Sequence, residues 1–287
     1  MIDLHSHILP KLCDGSQDLE TSIAMAELAV ADGITHLACT PHIYPPIYCN
    51  HTAGITAAML KLQQEFEQRD IPLQLIIGAD VNMTPEVMMG LKKGTIPTLN
   101  HSRYFLLEPS HHNPVSNFIG QIENFLYAGY VPVITHPERL RWVNEKYHEF
   151  IQAVQLGAWI QITAGAITGD FGSIAKKNAE RFLKDGYVHI IASDAHSIQK
   201  RPPILSRGIE SAISLINSEA EVLRMVYDRP QAILDNAEPS TVMPALTFQP
   251  QSSCLISKRR DYELHRINNT TNLSNFISKF LRINVGK

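Results

Sequence analysis

Residues 188–196 read Val188-His189-Ile190-Ile191-Ala192-Ser193-Asp194-Ala195-His196, an apolar run that stops in an aspartate and a histidine. A short β-branched run of this kind predicts a buried strand. The same construction recurs toward the N-terminus. The predicted strands are Ile2–His7, Thr35–Thr40, Leu73–Asp80, Tyr104–Glu108, Val131–His136, Trp159–Thr163 and Val188–Asp194. Between most of them lie stretches of helical periodicity: Leu19–Ala31, Thr56–Gln68, Pro114–Ala128, Glu145–Leu156 and Ser173–Lys184, with Ile204–Ile216 and Glu219–Tyr227 following the last strand. Strands alternating with helices predict an α/β fold around a parallel sheet, open or closed into a barrel.

What the strands run into is more telling than the strands. The first ends in His5-Ser6-His7, with Asp14 following in the loop. The second runs into Thr40-Pro41-His42, and the third ends Gly78-Ala79-Asp80. Glu108 ends the fourth, His136-Pro137-Glu138-Arg139 follows the fifth, and the seventh ends in Ser193-Asp194-Ala195-His196. Six of the seven therefore carry a His, Asp or Glu at or just past the carboxyl end, the face where (β/α) barrels build their active sites.

Taken singly, each has an ordinary explanation. An Asp after a strand is often a helix cap, and a lone His is commonly a hydrogen-bonded or surface residue. His36, His51, His101, His111, His112, His148, His189 and His265 are left in that class. The ordinary explanation fails for the set. His5, His7, Asp14, His42, Asp80, Glu108, His136, Asp194 and His196 converge on one rim. That many imidazoles and carboxylates need a cation to satisfy them. Nitrogen and oxygen donors without thiolate suit zinc, iron, manganese or cobalt rather than a structural zinc. Nine donors exceed the needs of one ion and predict two or three. Clustered divalent ions are a device for phosphate-ester hydrolysis, generating hydroxide near neutral pH and clamping the attacking and leaving oxygens. Three such ions against four carboxylates leave the site positive and suited to a phosphate dianion. Arg139 and Arg201 lie on loops at the same face, where guanidinium forks match phosphate oxygens.

Composition sets the outer bounds. The chain has 287 residues, 44% hydrophobic, with 25 Lys and Arg against 28 Asp and Glu and a formal net charge of -3. This is a globular composition with no basic footprint for nucleic acid. Cys13, Cys39, Cys49 and Cys254 form no paired spacing, so a disulfide framework is not expected. The N-terminus lacks a secretory pattern and no apolar run spans a membrane, which makes the cytoplasm the expected compartment. Residues 237–287 change character, with Pro239, Pro244 and Pro250 among Ser, Thr and Gln, then a weakly amphipathic Leu273–Leu281. The expected organisation is a catalytic unit over 1–236 and a peripheral, partly disordered linker and tail over 237–287.

The opening Met1-Ile2-Asp3-Leu4-His5-Ser6-His7-Ile8-Leu9-Pro10, Asp14-Gly15, Thr40-Pro41-His42, His136-Pro137-Glu138-Arg139, Ser193-Asp194-Ala195-His196 and Arg201-Pro202-Pro203 together resemble the PHP (polymerase and histidinol phosphatase) superfamily. Within it the chain resembles the capsule and exopolysaccharide tyrosine phosphatases of the CpsB/CapC type, over about residues 1–236. The resemblance implies a distorted seven-stranded (β/α) barrel and a trinuclear site, usually served by manganese or iron. It implies that His5, His7, Asp80 and Asp194 hold one ion, that Asp80, Glu108 and His136 hold a second with Asp80 bridging, and that Asp14, His42 and His196 hold the third. Arg139 and Arg201 match the positions that bind the phosphoryl group. The implied substrate is phosphotyrosine on a protein, such as the tail of a cytoplasmic tyrosine kinase linked to polysaccharide export. Oligomeric state is left open.

One position departs from the pattern. The family usually carries Gly-x-Glu where this chain has Gly78-Ala79-Asp80, so the bridging carboxylate is one methylene shorter. Two alternatives stand beside the tyrosine-phosphatase reading: a small-molecule phosphatase such as one for histidinol phosphate, and a non-catalytic PHP module. Cys254 and Arg260 have the spacing of a cysteine-phosphatase loop, but the stretch lacks glycine and a strand–loop–helix frame, and the match is treated as coincidence.

Overall fold

The computed structural model describes residues 1–248. Ten strands are present among them: β1 (Ile2–Ser6), β2 (His36–Cys39), β3 (His42–Tyr44), β4 (Tyr48–Cys49), β5 (Gln74–Ile77), β6 (Asp80–Asn82), β7 (Tyr104–Glu108), β8 (Val131–Thr135), β9 (Trp159–Thr163) and β10 (Ile190–Ala192). They form two sheets. One is a parallel three-stranded sheet in the order β1-β2-β5. The other has the order β10-β9-β8-β7-β6-β3-β4, parallel throughout except for the β3–β4 hairpin. Helices Leu19–Ala31, Thr52–Gln68, Phe118–Tyr127, Tyr147–Leu156, Ser173–Lys184 and Ser206–Ile216 fill most of the connections. None is long and apolar enough to cross a membrane.

The expected third strand, Leu73–Asp80, is not one element. It breaks at Gly78-Ala79, with β5 in the three-stranded sheet and β6 in the seven-stranded one. The chain makes the same change of sheet between β2 and β3, at Thr40-Pro41. Asp80 thus opens a strand instead of closing one, and His42 pairs with it across β3 and β6. The two crossings pack against each other. A Cβ at residue 78 would lie 2.9 Å from Leu99 Cδ2 and 3.0 Å from Thr40 Cγ2, so glycine lets the two crossings pack closely without displacing these side chains.

On the far side, β1 meets the segment after β10. Ser6 and Ala195 form a parallel bridge. Asp194 N donates to His5 O at 2.9 Å, and His7 N to Ala195 O at 2.7 Å. The buried Asp3 carboxylate accepts from Ser193 N at 3.0 Å and so fixes the two segments in register.

The alternation of strands carries the fold into the site. Ile2, Leu4, Ala38, Ile76, Tyr104, Leu106, Val131, Val133, Trp159 and Ile190, from both sheets, pack into one apolar cluster. Residues two apart share a strand face. The face that buries Leu106 therefore presents Glu108 next, that of Val133 presents Thr135, and that of Trp159 presents Gln161. The polar floor of the site sits directly above this cluster.

Residues 237–248, assigned by composition to the start of the linker, are held to the body. The fully buried Arg229 donates to Met243 O at 3.0 Å and Pro244 O at 2.6 Å, to His189 O at 3.3 Å, and to Glu221 Oε1 at 2.7 Å. Ala245 is buried. The remainder of the tail, including Cys254, Arg260 and residues 273–281, lies outside the described residues.

Candidate metal centre

All nine donors read from the sequence meet in one cluster, each within 4 Å of at least one other. His5 Nε2 lies 3.2 Å from Asp194 Oδ1, 3.2 Å from His7 Nε2 and 3.5 Å from Asp80 Oδ2. His7 Nε2 is 3.3 Å from Asp194 Oδ1. His42 faces two ways: Nδ1 is 3.3 Å from Asp80 Oδ2 and 3.4 Å from Glu108 Oε2, and Nε2 is 3.5 Å from Asp14 Oδ1. His196 Nε2 is 3.5 Å from the same Asp14 oxygen. His136 Nε2 stands 3.7 Å from Glu108 Oε1 and 3.9 Å from Asp80 Oδ2. Eight of the nine are wholly or largely buried; Asp14, on its loop, is about half exposed.

Local structure holds each donor in place. Gly15 lets the Asp14 loop run against β1, since a Cβ there would sit 2.1 Å from His7 O. His136 (φ 34°) and Asp194 (φ 52°) both occupy the left-handed region just past their strands. Such backbone strain in non-glycine residues persists where the surroundings over-determine it. Glu138, fully buried, accepts from Thr163 N at 2.8 Å and so anchors the turn that carries Arg139. Arg201 is placed by a tight loop in which His196 N donates to Arg201 O at 2.9 Å.

The donor set fits a metal on two grounds. Ions bonded to nitrogen and oxygen at about 2.1 Å put neighbouring donors roughly 3.0–3.4 Å apart, close to most separations here. The buried Asp80 Oδ2, His42 Nδ1 and His196 Nε2, all facing the cluster, also make no hydrogen bond. Groups so buried ordinarily find a partner. Electrostatics agree. Burial disfavours charge on His5, yet Asp194 and Asp80 raise its pKa to about 9, and His42 is raised to about 9 against burial by Asp80, Glu108 and Asp14. Burial and the Arg139 charge push His136 down to about 3. Despite burial, Asp80 stays well below the usual carboxylate range beside His5, His136 and His42, and Asp194 does so beside His5, Arg201 and Arg139. Asp80 and Asp194 are therefore held as anions, whereas burial and the neighbouring Asp80 charge raise Glu108.

Arg139 and Arg201 converge on the far oxygen of Asp194, Oδ2. Both guanidinium groups lie over the Phe171 ring, 4.5 and 5.4 Å from its centroid. Arg201 Nε is buried without an acceptor. The two arginines and the donors Asp14, His42, Glu108 and His136 line one cleft of about 520 Å³.

Four site residues escape the sequence reading. Gln161 Oε1 accepts from His5 Nδ1 at 2.8 Å, so that in the neutral ring the proton sits on Nδ1 and Nε2 is the atom free to ligate. Its signal was a polar residue inside the apolar strand Trp159–Thr163. Cys13 Sγ is 3.2 Å from His7 Nδ1. His111, read as an ordinary histidine, has Nε2 3.2 Å from Glu108 Oε1 and groups with Glu108 and His136 at metal-binding separations. Phe171 had no signal, because a lone aromatic in a loop is commonplace.

Comparison with known proteins agrees with this geometry. The profile of the family described as Capsular polysaccharide synthesis, CpsB/CapC, matches residues 1–235. The chain is 37% identical over 203 residues to the tyrosine-protein phosphatase YwqE of Bacillus subtilis, covering 70% of this chain and 79% of that one. It is 28% identical over 241 residues to the tyrosine-protein phosphatase CpsB of Streptococcus agalactiae, covering 82% and 99%. A chain from the crystal structures of YwqE from Bacillus subtilis and CpsB from Streptococcus pneumoniae, described as metal-dependent tyrosine phosphatases, superposes with a TM-score of 0.81 at 30% identity. That superposition covers 88% of this chain and all of the other. A mixed α/β body with buried donors at its strand ends and a profile match across residues 1–235 place this chain in the CpsB/CapC family.

Proposed function

We propose that this protein is a metal-dependent protein-tyrosine phosphatase acting in capsule or exopolysaccharide synthesis. The observation that carries the reading is one cluster of nine buried or half-buried donors, five of which line a cleft together with Arg139 and Arg201. His5, His7, Asp80 and Asp194 would hold one ion, Asp80, Glu108 and His136 a second, and Asp14, His42 and His196 a third. Manganese is the ion to try first, since carboxylate and imidazole donors without thiolate suit it. Bound divalent ions supply Lewis acidity toward phosphoryl oxygens and toward water.

The chain's own residues do the rest. Arg139 and Arg201 take the phosphoryl oxygens in their forks, which Asp194 and the Phe171 face hold in place. Gln161 keeps His5 in one tautomer. The buried surroundings raise the worth of each of these charges over its value in water. A distorted seven-stranded barrel is the architecture we infer, the Ser6–Ala195 bridge and the apolar cluster shared by the two sheets being its support. The substrate we infer is a phosphotyrosyl segment of a tyrosine kinase.

The test is a substrate panel on purified protein with manganese: a phosphotyrosyl peptide against histidinol phosphate. Preference for the peptide supports the reading. Preference for histidinol phosphate moves the chain to small-molecule phosphatases, and turnover of neither makes it a non-catalytic module.

A further inference from the structure

The cleft is lined by side chains of two kinds. Some are polar, with His111, His112 and Arg141. The others come from the β3–β4 hairpin, which lines it with Tyr44, Ile47 and Tyr48. The hairpin is tied to the donor cluster at its base. His42 opens β3, Tyr48 stacks on the His42 ring at 5.7 Å and 19°, and Asn50 Nδ2 donates to His42 O at 2.8 Å. Away from the base it is open: Tyr44 is 40% and Ile47 64% exposed. Apolar side chains at the mouth of a charged cleft cost solubility and point to a ligand with an apolar part.

We propose that Tyr44 and Ile47 form the specificity wall that receives the phenyl ring of a phosphotyrosyl residue, an inference that rests on the phosphatase reading above. The geometry sets the scale. Tyr44 stands two residues along the strand from His42 and on the same face, a rise of about 6.6 Å. That is comparable to the reach from the Cα of a tyrosyl residue to its ester oxygen. A phosphate seated among the donors and arginines would thus place a tyrosyl ring alongside Tyr44. A phosphoserine, whose ester oxygen lies one carbon from the Cα, would bring the peptide backbone down to the donors and leave the wall uncovered. Aromatic pairing with Tyr44 and apolar contact with Ile47 then favour the aryl ester in ground state and transition state alike, so they set KM.

The experiment compares a phosphotyrosyl peptide with the phosphoseryl peptide of otherwise identical sequence, in manganese, for wild type, Tyr44→Ser, Ile47→Ser and Tyr44→Phe. The ratio of kcat/KM for tyrosyl over seryl peptide is expected to fall about tenfold in each serine variant, through KM, with metal content as in wild type. Tyr44→Phe should keep the ratio. An unchanged ratio in both serine variants overturns the wall, as does an equal loss on both peptides. Wild-type protein that turns over the seryl peptide but not the tyrosyl one overturns the wall and the tyrosine reading together. That outcome is read before any variant is made.

Discussion

Replacing Arg139 by alanine separates phosphate binding from metal binding. Arg139 offers only donors, so it cannot ligate a cation, and its loss should leave bound metal at the wild-type ratio. Asp194 keeps a cationic neighbour, because Arg201 reaches the same oxygen and lies over the same Phe171 ring. What disappears is one charge-assisted stabiliser of the phosphoryl group in a largely buried setting. Removing a comparable preorganised donor costs about 10²–10³ in kcat, or roughly 2.7–4 kcal/mol. Arg139→Lys should recover only part of this. The ammonium restores the charge but not the planar fork, nor the flat contact now made 4.5 Å above Phe171. The assay is steady-state hydrolysis of a phosphotyrosyl peptide in manganese, with metal per protein read by mass spectrometry on the same samples. Wild-type kcat in Arg139→Ala would refute the reasoning and reduce Arg139 to a partner of Asp194. Loss of metal together with activity would refute it differently, by making Arg139 a support of the donor cluster.

Asp80→Ala should lose at least one ion per chain, because Asp80 Oδ2 faces three imidazoles; full metal content and full activity would remove Asp80 from the ligands. Gln161→Leu should weaken metal binding about 10–100-fold by freeing His5 Nδ1, with Gln161→Glu restoring much of it, and an unchanged manganese titration would count against that role. Arg229→Met should cost about 3 kcal/mol by removing the buried 2.7 Å ion pair that Arg229 makes with the Glu221 carboxylate. The melting temperature would then fall by roughly 6–12 °C with metal content unaffected, and a fall of under about 2 °C would contradict the account of that clip.

The sequence made the donors legible because all but the loop residue Asp14 lie in or just past an apolar run that buries itself, and the run points to where its polar end must go. Helices Leu19–Ala31 and Ser173–Lys184 and strands Tyr104–Glu108 and Trp159–Thr163 fall within the expected bounds for the same reason. The break at Gly78-Ala79 was hidden because both halves of the run are buried, and an apolar pattern does not record which sheet buries it. The β3–β4 hairpin was hidden by Pro45-Pro46, which suits an edge and argues against a central strand. His111, Phe171 and Cys13 reach the site from loops, where no periodicity marks which way a side chain faces. Gln161 was the exception, a buried amide in an apolar strand that asks for a partner.

The central claim is that the buried donors hold divalent ions on which phosphotyrosine hydrolysis depends. Its most direct test strips the protein with a chelator, removes the chelator, and titrates manganese back while bound metal and turnover of a phosphotyrosyl peptide are followed together. The account predicts no turnover in the stripped protein and recovery in step with two or three ions bound per chain, with Cys254→Ser behaving as wild type. Turnover that survives stripping, or that is lost in Cys254→Ser, would contradict it.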